Sequence, residues 1–351
     1  MTRAGELLIV GFEDKTAPAE VLARIRERRL GGVVLFARNL GTLDEIEALT
    51  RSLGDAVPAG DPPLVISLDQ EGGRVQRIKA PFPHWPPMAS LGQRNDQALC
   101  EAVGRAMGEE VAAVGFNVDF APVLDVHTNP ANPIIGDRAF GTDPDGAARL
   151  ALAFWRGLES AGVRGCGKHF PGHGDTATDS HLELPRVDRA LAQLRQVELA
   201  PFLAAARAGV PMFMTAHVLF PSVDEQPATM SRRWLTEILR GELGYRGVIV
   251  SDDLDMKAIA DHFDVGATAV NSLRAGADCF LACRDPRIQS TTEEALDRAA
   301  TADPLVRARL EESGAHLRAF RATLATTAPA TGAWKRLPLD GHAALAARAR
   351  G

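Results

Sequence analysis

Between Lys168 and His181 the sequence KHFPGHGDTATDSH gathers three histidines, one lysine and two aspartates around Gly172 and Gly174. Packing alone does not call for so many titratable groups in fourteen residues. Asp179 and His181 are two residues apart in what should be a loop, the spacing of an orienting carboxylate and a proton-carrying imidazole. An imidazole suits that work because its ordinary pKa, about 6.5, lies close to neutral pH. Lys168 and His169 come at the start of the stretch, just past the strand-like run Val163–Cys166. A held backbone there suits them to binding rather than to proton shuttling.

Three other stretches carry chemistry. Asp69-Gln70-Glu71-Gly72-Gly73-Arg74, followed by Gln76 and Arg77, puts an acid at the tip of the run Leu64–Leu68, with two glycines permitting close backbone approach. Asp69 there either accepts hydrogen bonds from substrate hydroxyls or caps a helix with an arginine partner. Past Asn117–Phe120 a proline-broken loop holds Asp125, His127, Asn129, Asn132, Asp137 and Arg138. Arg138, among small residues in GDRAFG, can lean into a cleft as a fixed fork of donors or pair internally with Asp137 or Asp125. Finally, Ser251-Asp252-Asp253-Leu254-Asp255-Met256 follows Val248–Val250. Asp252 should face inward from the strand tip, while Asp253 and Asp255 suit the start of a helix, where acids complement the dipole.

Together these residues suit one reaction class. A carboxylate, Asp252, can attack an electrophilic carbon while a second group protonates the leaving oxygen and later deprotonates water.

Such groups need a scaffold that delivers them to one end. Short apolar runs at Leu7–Phe12, Gly32–Phe36, Leu64–Leu68, Asn117–Phe120, Val163–Cys166, Met212–Thr215, Val248–Val250 and Asp278–Leu281 read as strands buried on both faces. Helical periodicity fills most gaps, as in Ala19–Arg28, Leu43–Leu53, Asp96–Ala113, Asp145–Ala161, Ala190–Ala208 and Arg232–Leu243. Eight such units predict an α/β fold, a single (β/α)8 barrel over residues 1–284, whose functional groups sit at the C-terminal ends of its strands. An open doubly wound sheet competes, but no GxGxxG follows the first strand. Residues 285–351 are expected to be C-terminal helices packed on the barrel's outside and a tail, with a loose connector at Ala325–Gly332.

With 351 residues, 46% of them hydrophobic, the chain can bury a large core. A net charge of −6 with dispersed cations argues against a nucleic-acid partner. Cys100, Cys166, Cys279 and Cys283 form no CxxC pair and suit reduced, buried thiols. The apolar run near the N-terminus is too short for a signal-peptide core and none later approaches a membrane span, so a cytoplasmic monomer is expected.

KHFPGHGDTATDSH, DQEGGRVQR, GDRAFG and SDDLDM together resemble the motifs of glycoside hydrolase family 3, and within it the bacterial β-N-acetylhexosaminidases of the NagZ type. The resemblance spans roughly Leu7 to Leu281. It implies a (β/α)8 barrel that removes terminal, non-reducing N-acetylglucosamine with retention, through a covalent glycosyl-enzyme. By motif position it makes Asp252 the nucleophile and His181 the acid/base with Asp179 as dyad partner. It gives sugar binding to Asp69, Arg77, Arg138, Lys168 and His169, and loop support to His173 and Asp175. It implies no metal or organic cofactor, and a carbohydrate partner, a muropeptide or chitooligosaccharide. The chain is expected to hold no second sandwich domain of the kind that the family's larger members add, which favours the single-domain type over a β-glucosidase.

Rivals from other classes are a metal-dependent barrel hydrolase using His169, His173 and Asp252, an aldolase using Lys168 as a Schiff-base amine, and a sugar-binding protein without turnover. Within the family, phosphorolysis could replace hydrolysis.

Overall fold

The computed structural model describes residues 2–177, 184–325 and 329–350. Eight parallel strands close into a barrel: β1 (Leu8–Val10), β2 (Gly32–Val34), β3 (Val65–Leu68), β6 (Val118–Asp119), β7 (Arg164–Phe170), β8 (Met212–Thr215), β9 (Val248–Asp253) and β10 (Cys279–Ala282), with β10 pairing back to β1. A two-stranded antiparallel hairpin, β4 (Gln70–Gly72) and β5 (Val75–Gln76), rises from the end of β3. The closed barrel is the architecture that the strand runs predicted.

Why these runs close a barrel is visible in their alternation. Ile9, Val34, Met212, Met214, Val248, Val250, Cys279 and Leu281 point into one interior cluster, whereas Leu8, Val10, Phe213, Ile249 and Phe280 join the layer between strands and helices. Side chains two apart share a face of a strand, so each run fills both layers. The floor is closed by the helix Pro304–Arg321 and the turn after it, which insert Leu317, Phe320 and Leu324 into the interior cluster. At that end Arg309 and His316 reach Asp278, one residue before β10, at 2.9 and 3.0 Å. These helices therefore lie across the N-terminal strand ends as well as outside the barrel, and the C-terminal ends are left for chemistry.

Several elements differ from their sequence expectation for identifiable reasons. The periodic stretch Ala190–Ala208 is two helices, Leu191–Gln196 and Leu199–Ala208. Pro201 has no N–H for the Val197 carbonyl and its ring would clash there, so the first helix stops short. β7 runs on through Lys168 and His169, and β9 through Asp252 and Asp253, so polar residues are carried inside strands. The turn of the β4–β5 hairpin uses Gly72 at φ +88° and Gly73 at φ +55°, left-handed conformations that glycine adopts without strain. A Cβ at Gly72 would come within 2.7 Å of the Pro86 carbonyl oxygen.

The C-terminal helix Leu339–Arg350 is docked rather than frayed: buried His342 sits 2.9 Å from Glu110 and 3.2 Å from Glu109. All four cysteines are buried and unpaired. Among the described residues no helix is long and apolar enough to cross a membrane.

Candidate active site

A cavity of about 190 Å³ opens at the C-terminal ends of the strands, lined by Asp69, Glu71, Arg138, Lys168, His169 and Asp252 among others. That is below the roughly 300–1,000 Å³ of sites for drug-sized ligands and suits a single ring.

The hairpin builds one wall. The Gln70 side chain accepts hydrogen bonds from the Arg77 and Ile78 amides at 2.8 and 3.1 Å, which folds the chain back and returns Arg77 to Asp69. Arg77 Nη2 then lies 3.3 Å from Asp69 Oδ2. From β7, Lys168 reaches across to Asp69 Oδ1 at 2.7 Å and Glu71 Oε1 at 2.5 Å. Arg138 clasps Glu71 with Nε and Nη2, both at 2.8 Å, the bidentate geometry of a guanidinium on a carboxylate. Three cations thus interlock with two carboxylates.

Burial raises the carboxyls of Asp69 and Glu71, but the cations win. Lys168 and Arg77 hold Asp69 below its ordinary value, and Arg138 and Lys168 hold Glu71 well below its own. The same attraction outweighs the burial of Lys168 and keeps its ammonium pKa raised. A Schiff-base lysine needs a neutral amine, and Lys168 is an ammonium paired with both Asp69 and Glu71. The aldolase reading fails on that ground.

Arg138 does not take either internal partner considered for it. Asp137 pairs with Arg74 at 3.1 Å, and Asp125 turns to His169. Asp125, 1% exposed, lies 2.7 Å from His169 Nδ1 and accepts the His169 amide at 3.3 Å and the His173 amide at 2.6 Å. Such a bond fixes the ring and its tautomer, with Nδ1–H toward the carboxylate. His173 is set by Thr176 Oγ1 at 2.8 Å, and burial together with His169 pulls its pKa down to about 4. Asp175 is clamped by Arg189 at 2.7 Å, and a Cβ on Gly174 would run into the Val126 carbonyl oxygen. His173 and Asp175 therefore shape the stem of the Lys168–His181 loop. Asp179 and His181 lie outside the described residues.

On the opposite wall β9 brings half-buried Asp252 to the cavity, where its Oδ1 accepts the Asp253 amide at 2.8 Å. Asp253 and Asp255 do not serve a helix start. The helix that follows, Lys257–Ala260, begins later; Asp253 Oδ1 instead accepts the Asp255 and Cys283 amides, and Asp255 those of Arg284 and Asp285. Both acids tie the end of β9 to the segment after β10, because β9 continues where a helix was expected. Burial and the neighbouring Asp255 charge push Asp253 up to about 7.

The structure brings Asp69, Arg77, Arg138, Lys168, His169 and Asp252 to one cavity. Sequence reasoning passed over Glu71 and Asp125 as site residues. The two-residue spacing from Asp69 was a signal for Glu71; no local signal marked Asp125, whose partner lies 44 positions on. His217, after β8, was also passed over: it is fully buried, 2.9 Å from Thr229 Oγ1 and 3.1 Å from the Asp253 carbonyl, bracing the end of β9. Among the described residues no group of three or more His, Cys, Asp or Glu is arranged to hold a metal ion.

Comparison with known proteins agrees with this geometry. The family model described as "Glycosyl hydrolase family 3 N terminal domain" matches residues 2–318. A β-hexosaminidase of Chromobacterium violaceum is 42% identical over 303 residues, covering 85% of this chain and 83% of that protein. A family 3 β-N-acetylglucosaminidase from a Paenibacillus species superposes with a TM-score of 0.91 at 38% identity, over 99% of this chain and 67% of that one. NagZ from Neisseria gonorrhoeae, solved in complex with N-trifluoroacetyl-D-glucosamine, gives a TM-score of 0.81 at 32% identity over 100% of this chain and 99% of that one. With barrel, motifs and relatives in accord, the chain belongs to glycoside hydrolase family 3.

Proposed function

We propose that the protein is a retaining β-N-acetylhexosaminidase that releases terminal, non-reducing N-acetylglucosamine from peptidoglycan fragments, acting in the cytoplasm as a monomer in cell-wall recycling. Its membership of the glycoside hydrolases and its β-hexosaminidase relatives make it a β-N-acetylhexosaminidase; the substrate, N-acetylglucosamine on 1,6-anhydro-N-acetylmuramic acid, and the covalent route go further. The observation that carries the reading is that Asp252 shares one sugar-sized cavity with the interlocked cations of Lys168, Arg77 and Arg138.

In the proposed reaction Asp69, Arg77, Arg138, Lys168 and His169 grip the sugar's hydroxyl and acetamido groups. Asp252 attacks the anomeric carbon as His181, oriented by Asp179, gives its proton to the departing oxygen. A glycosyl ester forms on Asp252. Neutral His181 then takes a proton from water, whose oxygen attacks the same carbon from the face the aglycone left, freeing Asp252 and retaining configuration. The reaction as proposed draws on no metal or organic cofactor.

A 2-fluoro glycoside, which forms the ester faster than it breaks it, tests this directly. Mass spectrometry should find the label on the peptide containing Asp252, and product analysis should show the β-anomer first; a label elsewhere or an inverted product overturns the covalent route. His181→Ala should lose roughly a thousandfold on poor leaving groups and far less on activated aryl glycosides, which need little protonation. Equal losses would remove His181 from the acid role.

A further inference from the structure

The geometry points to Glu71 as a positioning residue that sets the two cations Lys168 and Arg138 for sugar binding without touching the sugar itself; the inference rests on the sugar-binding reading above. Its burial and its protein donors turn Glu71 away from the sugar. Oε2 accepts Arg138 Nε, while Oε1 takes both Arg138 Nη2 and Lys168 Nζ. The side chain is only 2% exposed, against 16% for Asp69, whose Oδ2 meets Arg77 at a longer 3.3 Å. Asp69 therefore has room to accept from a hydroxyl, whereas three of the roughly four acceptor sites of the more deeply buried Glu71 are taken by protein donors.

What Glu71 leaves unused on its partners is what matters. Lys168 has three N–H donors: one goes to Asp69 and one to Glu71, leaving the third for the cavity that Lys168 lines. Arg138 has five; Nε and one Nη2 hydrogen go to Glu71 and one Nη1 hydrogen to the Ile134 carbonyl at 3.2 Å, leaving two. Because the guanidinium is planar, fixing two of its edges fixes the direction of the rest. Glu71 also joins the loop arginine to the strand lysine, so it keys the Gly136–Arg138 turn to β7. Buried ion pairs add little net stability compared with apolar packing, which makes orientation the better account of this one.

The test is Glu71→Gln in the full chain, assayed with a chromogenic β-N-acetylglucosaminide. KM should rise roughly 10- to 100-fold with kcat changed less than about tenfold, as loss of charge-assisted positioning in the ground state requires. Loss of the Glu71 charge also lowers the Lys168 pKa, so the variant's KM should climb from neutral pH toward about pH 9 while the wild type stays flat. Glu71→Asp, which keeps the charge but reaches only one cation, should recover part of the binding; it also carries the test should Glu71→Gln fold poorly by circular dichroism. An active wild type whose folded variants keep normal KM and an unchanged pH profile overturns the positioning role alone. If the wild type neither binds nor cleaves the glycoside, the sugar-site reading falls, and this role with it.

Discussion

Two sets of acids at the C-terminal ends of the strands are held by different kinds of donor. On the β3–β7 side Asp69 and Glu71 are interleaved with Lys168, Arg77 and Arg138, so their charges are compensated by full opposite charges within about 3 Å. On the β9–β10 side Asp253 and Asp255 accept from backbone amides. Amide dipoles position a carboxylate but offset less of its desolvation than an ion pair does. The outcome is a carboxyl well below its ordinary range at buried Glu71 and one raised to about 7 at half-buried Asp253. A wall of compensated charges can bind a neutral, hydroxyl-rich ligand through leftover N–H donors without changing its own ionisation. The nucleophile proposed on the other wall, Asp252, has instead to present an ionised oxygen to the anomeric carbon.

The sharpest way to break this comparison is Asp252→Ala. If the β9 wall performs the chemistry, kcat should fall by more than about a thousandfold, roughly 4 kcal/mol on the barrier, while the melting temperature stays near that of the wild type. A variant keeping over about a hundredth of the activity would move the nucleophile elsewhere. Lys168→Ala tests the other wall and should act mainly on KM, raising it roughly 10- to 100-fold through lost charged hydrogen bonds. Should kcat collapse at unchanged KM, the binding wall would be taking part in bond breaking and the contrast between walls would dissolve.

The same contrast separates what could be read in the sequence from what could not. Eight apolar runs gave the barrel because a short, continuous apolar stretch is a local property of Leu8–Val10 or Met212–Thr215. Asp252, Lys168 and Asp69 were legible because they directly follow such runs, and the barrel topology turns that position into convergence. Roles that depend on a partner distant in sequence were not. Nothing in GDRAFG says that Arg138 will clasp Glu71, 67 positions earlier, rather than adjacent Asp137. The misreading of Asp253 and Asp255 has the same origin: a local rule for acids at helix starts was applied where β9 runs on through Asp253 and the amides of residues 283–285 arrive from the next strand.

The smallest expected effect probes the amide-held wall without touching the nucleophile. Asp253 has a folded pKa near 7, raised by burial and by Asp255 from an ordinary value of 3.8, so between those values the folded chain binds a proton that the unfolded chain has lost. Its contribution to stability is therefore complete below about pH 4 and is lost as pH rises through 7. Asp253→Asn keeps the oxygen that accepts the Asp255 and Cys283 amides but cannot ionise. The variant and the wild type should melt alike near pH 3.5, below both values, and the variant should melt a few degrees higher at pH 8, where only the wild type carries the repelled carboxylate. Scanning calorimetry at the two values decides it: an offset that is the same at both would mean that Asp253 does not titrate in this range, and that backbone amides hold a carboxylate in its charged form as well as lysine and arginine do across the cavity.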